Sequence, residues 1–495
     1  MKKMIALFLV LAITLSLTAC SAPAAPAAPE EPAIPAAPPA EVPEVPEVPA
    51  PQVPAEPEVV EPPEEPGPLS GLLTLVSPTA ATEVKLTQDL QAGTAVIDQT
   101  DQTEDPPTVQ FVRNGYVLEG ESWFVSGSMT TDITYNSCKM TIVCQADEKN
   151  FSEFFISRRQ NDTCSVNRAL TRDGIRYQNN LDEIVTEALQ KDASWKVDFY
   201  LIFIGGYLYF FIREPGEVME LITSYCVNWK SCTPRLEVTK NAKVTFSDLS
   251  VSNDPEEVAA LYNSIAVVGE MKGEKSLLFF GNSTLFFYDT PNTLSRLARQ
   301  AGYKVEVNTL LRSSAALKHF VDPTDVISGM LQEELQKDYD YVLFQVLSTS
   351  INNAGNQQLC RTAAKVLIKN IRESGSEPMI YVRPPRNDYG SNNTPDNASW
   401  QFEQLLAPVA EELGVKNCYV NRAWTLNRQE GSTNLWYKDA AHQNARGSYL
   451  AACVMFATLF DTSCQVLGDD GLPEEIAGEL RTIADRVVLE GASPW

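Results

Sequence analysis

The chain has 495 residues, a formal net charge of −25, 32 prolines, 10 cysteines and 2 histidines. Its length allows two to four domains, and an acidic chain with no long basic run repels phosphate backbones, which argues against nucleic acid as a partner. Two histidines far apart in sequence, with no Cys-x-x-Cys pair, argue against a zinc centre.

At the N-terminus Lys2 and Lys3 precede an apolar run, Met4 to Leu17, that is short for a bilayer span. It ends in Leu17-Thr18-Ala19-Cys20, which resembles the lipobox of bacterial lipoproteins. The resemblance implies a signal peptide over 1–20, lipidation of Cys20, and a membrane partner reached through that lipid on the extracellular face of a bacterial cell; an ordinary signal peptide is the plainer alternative. Residues 21–68 hold 17 of the 32 prolines and 10 glutamates with no lysine or arginine, so this segment alone supplies −10 of the net charge. Such a composition does not fold, and proline stiffens it toward polyproline II, so it reads as a linker that reaches on the order of 150 Å when extended.

From 69 to 254 the chain reads as short strands with turn punctuation: Tyr116–Met129, Cys138–Ala146, Phe151–Arg158 and Val197–Ile212. The last is split at Gly205-Gly206, a hairpin signal. Many antiparallel strands indicate an all-β sandwich or jelly roll. The strand rhythm, the Gly-Gly hairpin and the closing run Lys243 to Val251 resemble a concanavalin A-like sandwich, which implies carbohydrate binding or a spacer role. Trp123, Trp195 and Trp229 are candidates for stacking on sugar rings, although tryptophan in a sandwich is more often core. Cys226 and Cys232 flank a predicted loop and are placed to bridge, whereas Cys138 and Cys144 share one strand and are not.

A bridging segment, 255–272, leads into residues 273–495, where strands and helices alternate. Strands are expected at Ser276–Phe280, Lys304–Leu310, Tyr341–Leu347, Met379–Val382 and Cys418–Val420, with helices over Thr324–Lys337, Gln357–Glu373 and Trp400–Leu413. This alternation predicts an α/β/α unit on a parallel sheet, with ligands at the carboxyl ends of the strands.

Gly281-Asn282-Ser283 stands at the carboxyl end of the first of those strands, before a helical segment, where a serine is held beside converging backbone N–H groups. Further on, Asp439-Ala440-Ala441-His442 precedes Arg446-Gly447-Ser448-Tyr449-Leu450-Ala451-Ala452 in the last expected strand-to-helix connection. A nucleophilic serine needs a base, and histidine serves when a carboxylate fixes its tautomer. These blocks resemble the SGNH (GDSL-like) hydrolase superfamily over about Lys275 to Cys464.

The resemblance implies a flavodoxin-like fold, no cofactor, Ser283 as nucleophile, His442 as base and Asp439 as its orienting carboxylate. Its usual activity is hydrolysis of an ester, often an acetyl group on a carbohydrate. Where the superfamily carries an oxyanion glycine this chain has Leu311 to Leu317, with Ser314 chosen by position. Its Gly-x-Asn-Asp block is replaced by Phe344-Gln345-Val346-Leu347-Ser348, leaving the Gln345 amide as the substitute donor. His319 lacks the Asp-x-x-His relation and is not expected to be the base, and Arg383 and Arg386 are assigned no site. The expected function is a lipid-anchored serine esterase acting on acylated glycans. A non-catalytic glycan-binding lipoprotein and an acyltransferase with the same triad are the alternatives.

Overall fold

A computed structural model describes residues 73–76, 86–99, 108–133, 139–158, 164–172, 174–179, 194–213, 218–227, 229–238, 242–388 and 393–495. The leader with Cys20, the linker over 21–68 and Cys138 lie outside these residues. The described part belongs to one compact unit, Glu64–Trp495.

Up to Ser252 the described residues form two antiparallel sheets, one of eight strands and one of seven. Alternation along each strand turns one side chain in two toward the facing sheet. Phe111, Ile142 and Phe154 of the first sheet thereby share a core with Trp123, Phe203 and Phe246 of the second. Trp123 is fully buried and donates its indole N–H to the Cys232 carbonyl at 2.8 Å, so it is core, whereas Trp229 is half-buried against the same cluster. The Gly205-Gly206 hairpin has positive φ at both residues, 59° and 78°, as a two-residue turn with the right twist requires.

Cys226 and Cys232 are separate, buried thiols. The expected bridge is absent because Cys226 ends the strand Glu220–Cys226 of the seven-stranded sheet, while Cys232 leads into Thr233–Val238 of the eight-stranded one. Cys232 instead neighbours Cys144, whose thiol is pushed well up by burial and then by Cys232.

Helix α1 (Pro255–Ile265), capped by the Asp254 carboxylate, lays Val258 and Tyr262 against Tyr209 and Phe211 of the seven-stranded sheet. There follow β1 (Gly273–Gly281), α2 (Ser283–Phe286), α3 (Thr290–Gln300), β2 (Tyr303–Leu311), α4 (Val326–Glu334), β3 (Tyr341–Gln345), α5 (Ala354–Glu373), β4 (Glu377–Tyr381), α6 (Pro395–Leu413), β5 (Lys416–Cys418), α7 (Val420–Glu430), α8 (Ala445–Phe460) and α9 (Glu474–Val488). The five strands form a parallel sheet in the order β2-β1-β3-β4-β5, the order of a flavodoxin-like domain.

Both faces are covered. Along β1, Leu277 and Phe279 join the core under α3, α8 and α9, while Leu278 and Phe280 join the one under α4, α5 and α6. That is why the strand reads as an unbroken apolar run. Helices α4, α5 and α6 begin where a side chain caps them: Asp325 accepts from the Ile327 N–H, Asn353 from Asn356 and Thr394 from Asn397. These caps move the expected helix starts to Val326, Ala354 and Pro395.

The Gly-x-Tyr-Leu-Ala-Ala stretch opening α8 is a packing device. Tyr449 donates to the Gly468 carbonyl at 2.7 Å, and Leu450, Ala451 and Ala452 are buried. A Cβ at Gly447 would collide with the Trp424 ring and lie 2.5 Å from the Leu435 carbonyl oxygen. Gly447→Ala is therefore expected to lower the unfolding free energy by about 1–3 kcal/mol, the usual cost of overpacking. Denaturant titration of the two proteins measures it.

Candidate active site

Parallel register brings the carboxyl ends of β1, β2 and β3 level: Gly281 pairs with Leu311, and Phe280 with Phe344. Strand order reverses between β1 and its neighbours, which is where open α/β sheets hold ligands. Gly281 lets β1 close on β3, since a Cβ there would stand 3.0 Å from the Gln345 Cβ.

Asn282, fully buried, ties these ends together. Its Nδ2 donates to the carbonyls of Ala315 (3.2 Å) and Val346 (3.3 Å), and its Oδ1 accepts from the Thr284 N–H (3.4 Å). Ser283, half-buried, thus starts α2 in a fixed place. Its N–H sits in the first turn, where helix N–H groups have no intrahelical acceptor.

His442 arrives from elsewhere in the fold. The expected strand-to-helix connection is in fact a helix-to-helix one, between α7 and α8, because the chain passes directly from β5 into α7. Asp439 shapes this loop: its Oδ1 accepts from the N–H groups of Ala441 (2.9 Å) and His442 (3.1 Å). Ala440 then takes a left-handed φ of 56°, and its carbonyl receives the Asn387 N–H at 2.8 Å. The free oxygen of Asp439 stands 2.6 Å from His442 Nδ1, and His442 Nε2 stands 2.7 Å from Ser283 Oγ. With the Nδ1 proton directed at the carboxylate, Nε2 is left to accept the Ser283 hydroxyl proton. Burial pushes the Asp439 carboxyl up, but the His442 bond and the two backbone N–H groups outweigh it and hold it below its ordinary value.

Two residues that the sequence did not single out border the relay. The Phe287 ring lies face to face with the His442 imidazole, centroids 3.8 Å apart and planes 7° from parallel. Gln443 Nε2 donates to the carbonyls of Thr284 and Phe287, the latter at 2.8 Å, tying the histidine loop to the serine turn. Adjacency of Gln443 to His442 was the only signal available for the second; Phe287 had none.

Ser314 is exposed, in a turn closed by the Ala315 N–H on the Arg312 carbonyl, with φ 58°. This left-handed conformation is the one glycine takes without strain. Gln345 is placed wholly inside the sheet, where its Oε1 accepts the Asn282 N–H at 3.4 Å. That oxygen serves the serine turn, and the amide nitrogen Nε2, also buried, has no hydrogen-bond partner among the described residues. His319 accepts the Ala316 N–H on Nδ1 (3.0 Å) and so shapes the same loop; burial and the Arg312 charge lower its pKa. Arg386 pairs with Asp388 through two bonds of 2.7 and 2.6 Å, and Arg383 is buried over Phe402.

A cavity of about 210 Å³ begins one residue beyond the two carbonyls that Asn282 holds; Ala316, Leu317, His319, Leu347, Leu359 and Cys360 line it. Among the described residues no group of three or more His, Cys, Asp or Glu side chains is arranged to hold a metal ion.

No family model and no curated protein matches the chain. Solved structures similar to it include a protein from Slackia heliotrinireducens assigned as an SGNH hydrolase, at 22% identity and TM-score 0.33, covering 39% of this chain and 100% of that one. The psychrotrophic esterase EstA from Pseudoalteromonas sp. matches at 13% identity and TM-score 0.29, over 38% of this chain and 97% of that one. An acetyl xylan esterase matches at 12% identity and TM-score 0.29, over 37% and 100%.

The lowered pKa of Asp439 has a consequence for stability. A carboxyl depressed in the folded state stabilises above its unfolded value, about 3.9, and that contribution is lost as pH falls through the folded value. The stability difference between the wild type and Asp439→Asn should therefore narrow on acidification below about pH 4. Urea unfolding of both at a series of pH values gives the comparison; a constant difference would contradict it.

Proposed function

We propose that the chain is a serine ester hydrolase of the SGNH type. The observation that carries this reading is the relay itself: carboxylate, imidazole and hydroxyl in hydrogen-bonded sequence at 2.6 and 2.7 Å, assembled at the reversal point of a parallel sheet. His442 takes the proton of Ser283 Oγ as that oxygen attacks the ester carbonyl, and Asp439 offsets the imidazolium charge. The alcohol leaves with the proton from Nε2, and water, activated by the same nitrogen, releases the acid. We assign the oxyanion to the N–H groups of Ser283 and Ser314. Gln345 is assigned a supporting role, holding the turn that carries the first donor.

The finer reading follows the same line. The cavity beside the turn is apolar on the side of Leu317, Leu347 and Leu359, which suits the acyl part of an ester. Its size exceeds the roughly 150 Å³ known to take benzene, so an acetyl group fits with room to spare. We assign an acylated glycan as substrate, a lipid anchor at Cys20, the extracellular face of a bacterial membrane as location, and a concanavalin A-like sandwich for the antiparallel sheets.

The test is hydrolysis of p-nitrophenyl acetate. Ser283→Ala and His442→Ala should each abolish turnover while circular dichroism stays unchanged, and a serine-reactive phosphonate should label Ser283 alone. Asp439→Asn should lower kcat by about 10²–10⁴-fold by allowing the wrong tautomer. Full activity in Ser283→Ala would falsify the assignment; an inactive wild type that still binds glycan points to the non-catalytic binding protein.

A further inference from the structure

We infer that the antiparallel sheets position His442, acting through Ser224, Asn292, Asp289 and Phe287; the inference rests on His442 being the base. The connection is continuous and buried. Ser224, in the strand Glu220–Cys226, donates both its backbone N–H (3.1 Å) and its hydroxyl (3.0 Å) to Asn292 Oδ1. Asn292, in the first turn of α3, donates Nδ2 to the Asp289 carboxylate at 2.7 Å. Ser224, Asn292 and Asp289 are all essentially without solvent exposure.

Asp289 and Tyr288 form the turn that delivers Phe287. Both have left-handed φ, 43° and 52°. Two successive non-glycine residues in that region cost of order 1–3 kcal/mol each and persist only where the surroundings hold them. Thr293 Oγ1 contributes bonds to the Tyr288 and Asp289 carbonyls at 3.4 and 3.3 Å. The Asn292 amide contributes a 2.7 Å bond to the Asp289 side chain, and its other end is committed to the sheet. Release of the turn frees Phe287, whose ring covers one face of the imidazole and limits its rotation away from Ser283.

Gln443 holds the Phe287 carbonyl but not its ring direction, since the left-handed residues follow Phe287 in the chain. The sheets therefore supply what the relay's own loop lacks. Phe287, Asp289, Asn292 and Ser224 are positioning residues: Phe287 packs on the imidazole, and the other three act through Phe287.

The test uses the full chain with histidine-selective ¹³C labelling, practical because only two histidines are present and His319→Gln assigns the signals. Protons over an aromatic face are shielded, so His442 ring signals should lie upfield in the wild type. In Asn292→Ala they should move toward the positions of an uncovered histidine. On p-nitrophenyl acetate the same variant should lose about tenfold or more in kcat with KM unchanged, as displacements near 1 Å can cost about 10²-fold. Ser224→Ala, which removes one hydroxyl and leaves the N–H bond, should show the same change to a smaller extent.

Wild-type ring signals and kcat in both folded variants overturn the inference. Where Asn292→Ala does not fold, Ser224→Ala decides by the same two readouts. The ring signals also separate this inference from the catalytic one: shielding lost in Asn292→Ala, together with unimpaired esterase activity in Ser283→Ala, leaves the brace standing and removes the triad.

Discussion

The amide of Asn282 is the interaction on which the arrangement at the sheet edge depends. Strand ends expose carbonyls that have left the sheet ladder, and a buried carbonyl without a donor costs about 1–3 kcal/mol. Asn282 supplies the donor for two such carbonyls, Ala315 and Val346, from loops that follow different strands. Its own N–H donates to the Gln345 Oε1, and its side-chain oxygen accepts the Thr284 N–H. One small polar side chain thus closes three strand ends on one point, and Ser283 inherits its position from that closure. An aspartate could not donate to both carbonyls, so in this chain the amide form is what the packing asks for.

The histidine half obeys a separate logic. Its loop joins two helices, and a loop of that kind has no sheet to set its shape, so its own carboxylate does the work. Asp439 receives two backbone N–H groups on one oxygen and the imidazole on the other, and fixing the loop and orienting the ring are one act. The same bonds that shape the loop keep the carboxyl ionised. A carboxylate three residues before its histidine can do both only if the intervening backbone turns sharply, which the left-handed Ala440 accomplishes.

These two mechanisms explain what could be read from the sequence. The parallel sheet was legible because β1 and β3 are apolar on both faces, and the Ser283, Asp439 and His442 cluster because each residue type and spacing is tied to its local turn. What was not legible is tertiary. Cys226 and Cys232 looked pairable by separation, but the chain between them crosses from one sheet to the other. The residues between Cys418 and the histidine loop read as a connection, yet Val420 to Glu430 form a helix whose Trp424 packs against α8. Phe287 sits in an apolar run, Leu285-Phe286-Phe287-Tyr288, in which nothing marks one ring as the partner of an imidazole more than 150 residues away.

Helix α3 is where the two parts of the molecule meet on common terms. Its first turn holds Asn292 against Ser224, and its last turn sends Arg299 to the carbonyls of Met219 (2.5 Å) and Ile265 (2.8 Å). Its buried apolar side, with Leu294 and Leu297, completes the core beneath β1. Such a helix cannot shift toward the sheet of β1 without breaking buried polar bonds to the antiparallel strands, and interiors packed at crystal-like density transmit such strain without absorbing it. The strained turn at Tyr288 and Asp289 lies between this anchored helix and Ser283. Its two fixed ends are the serine turn, closed by Asn282, and α3, closed by the antiparallel sheets, so the geometry of the relay is shared between both halves of the fold.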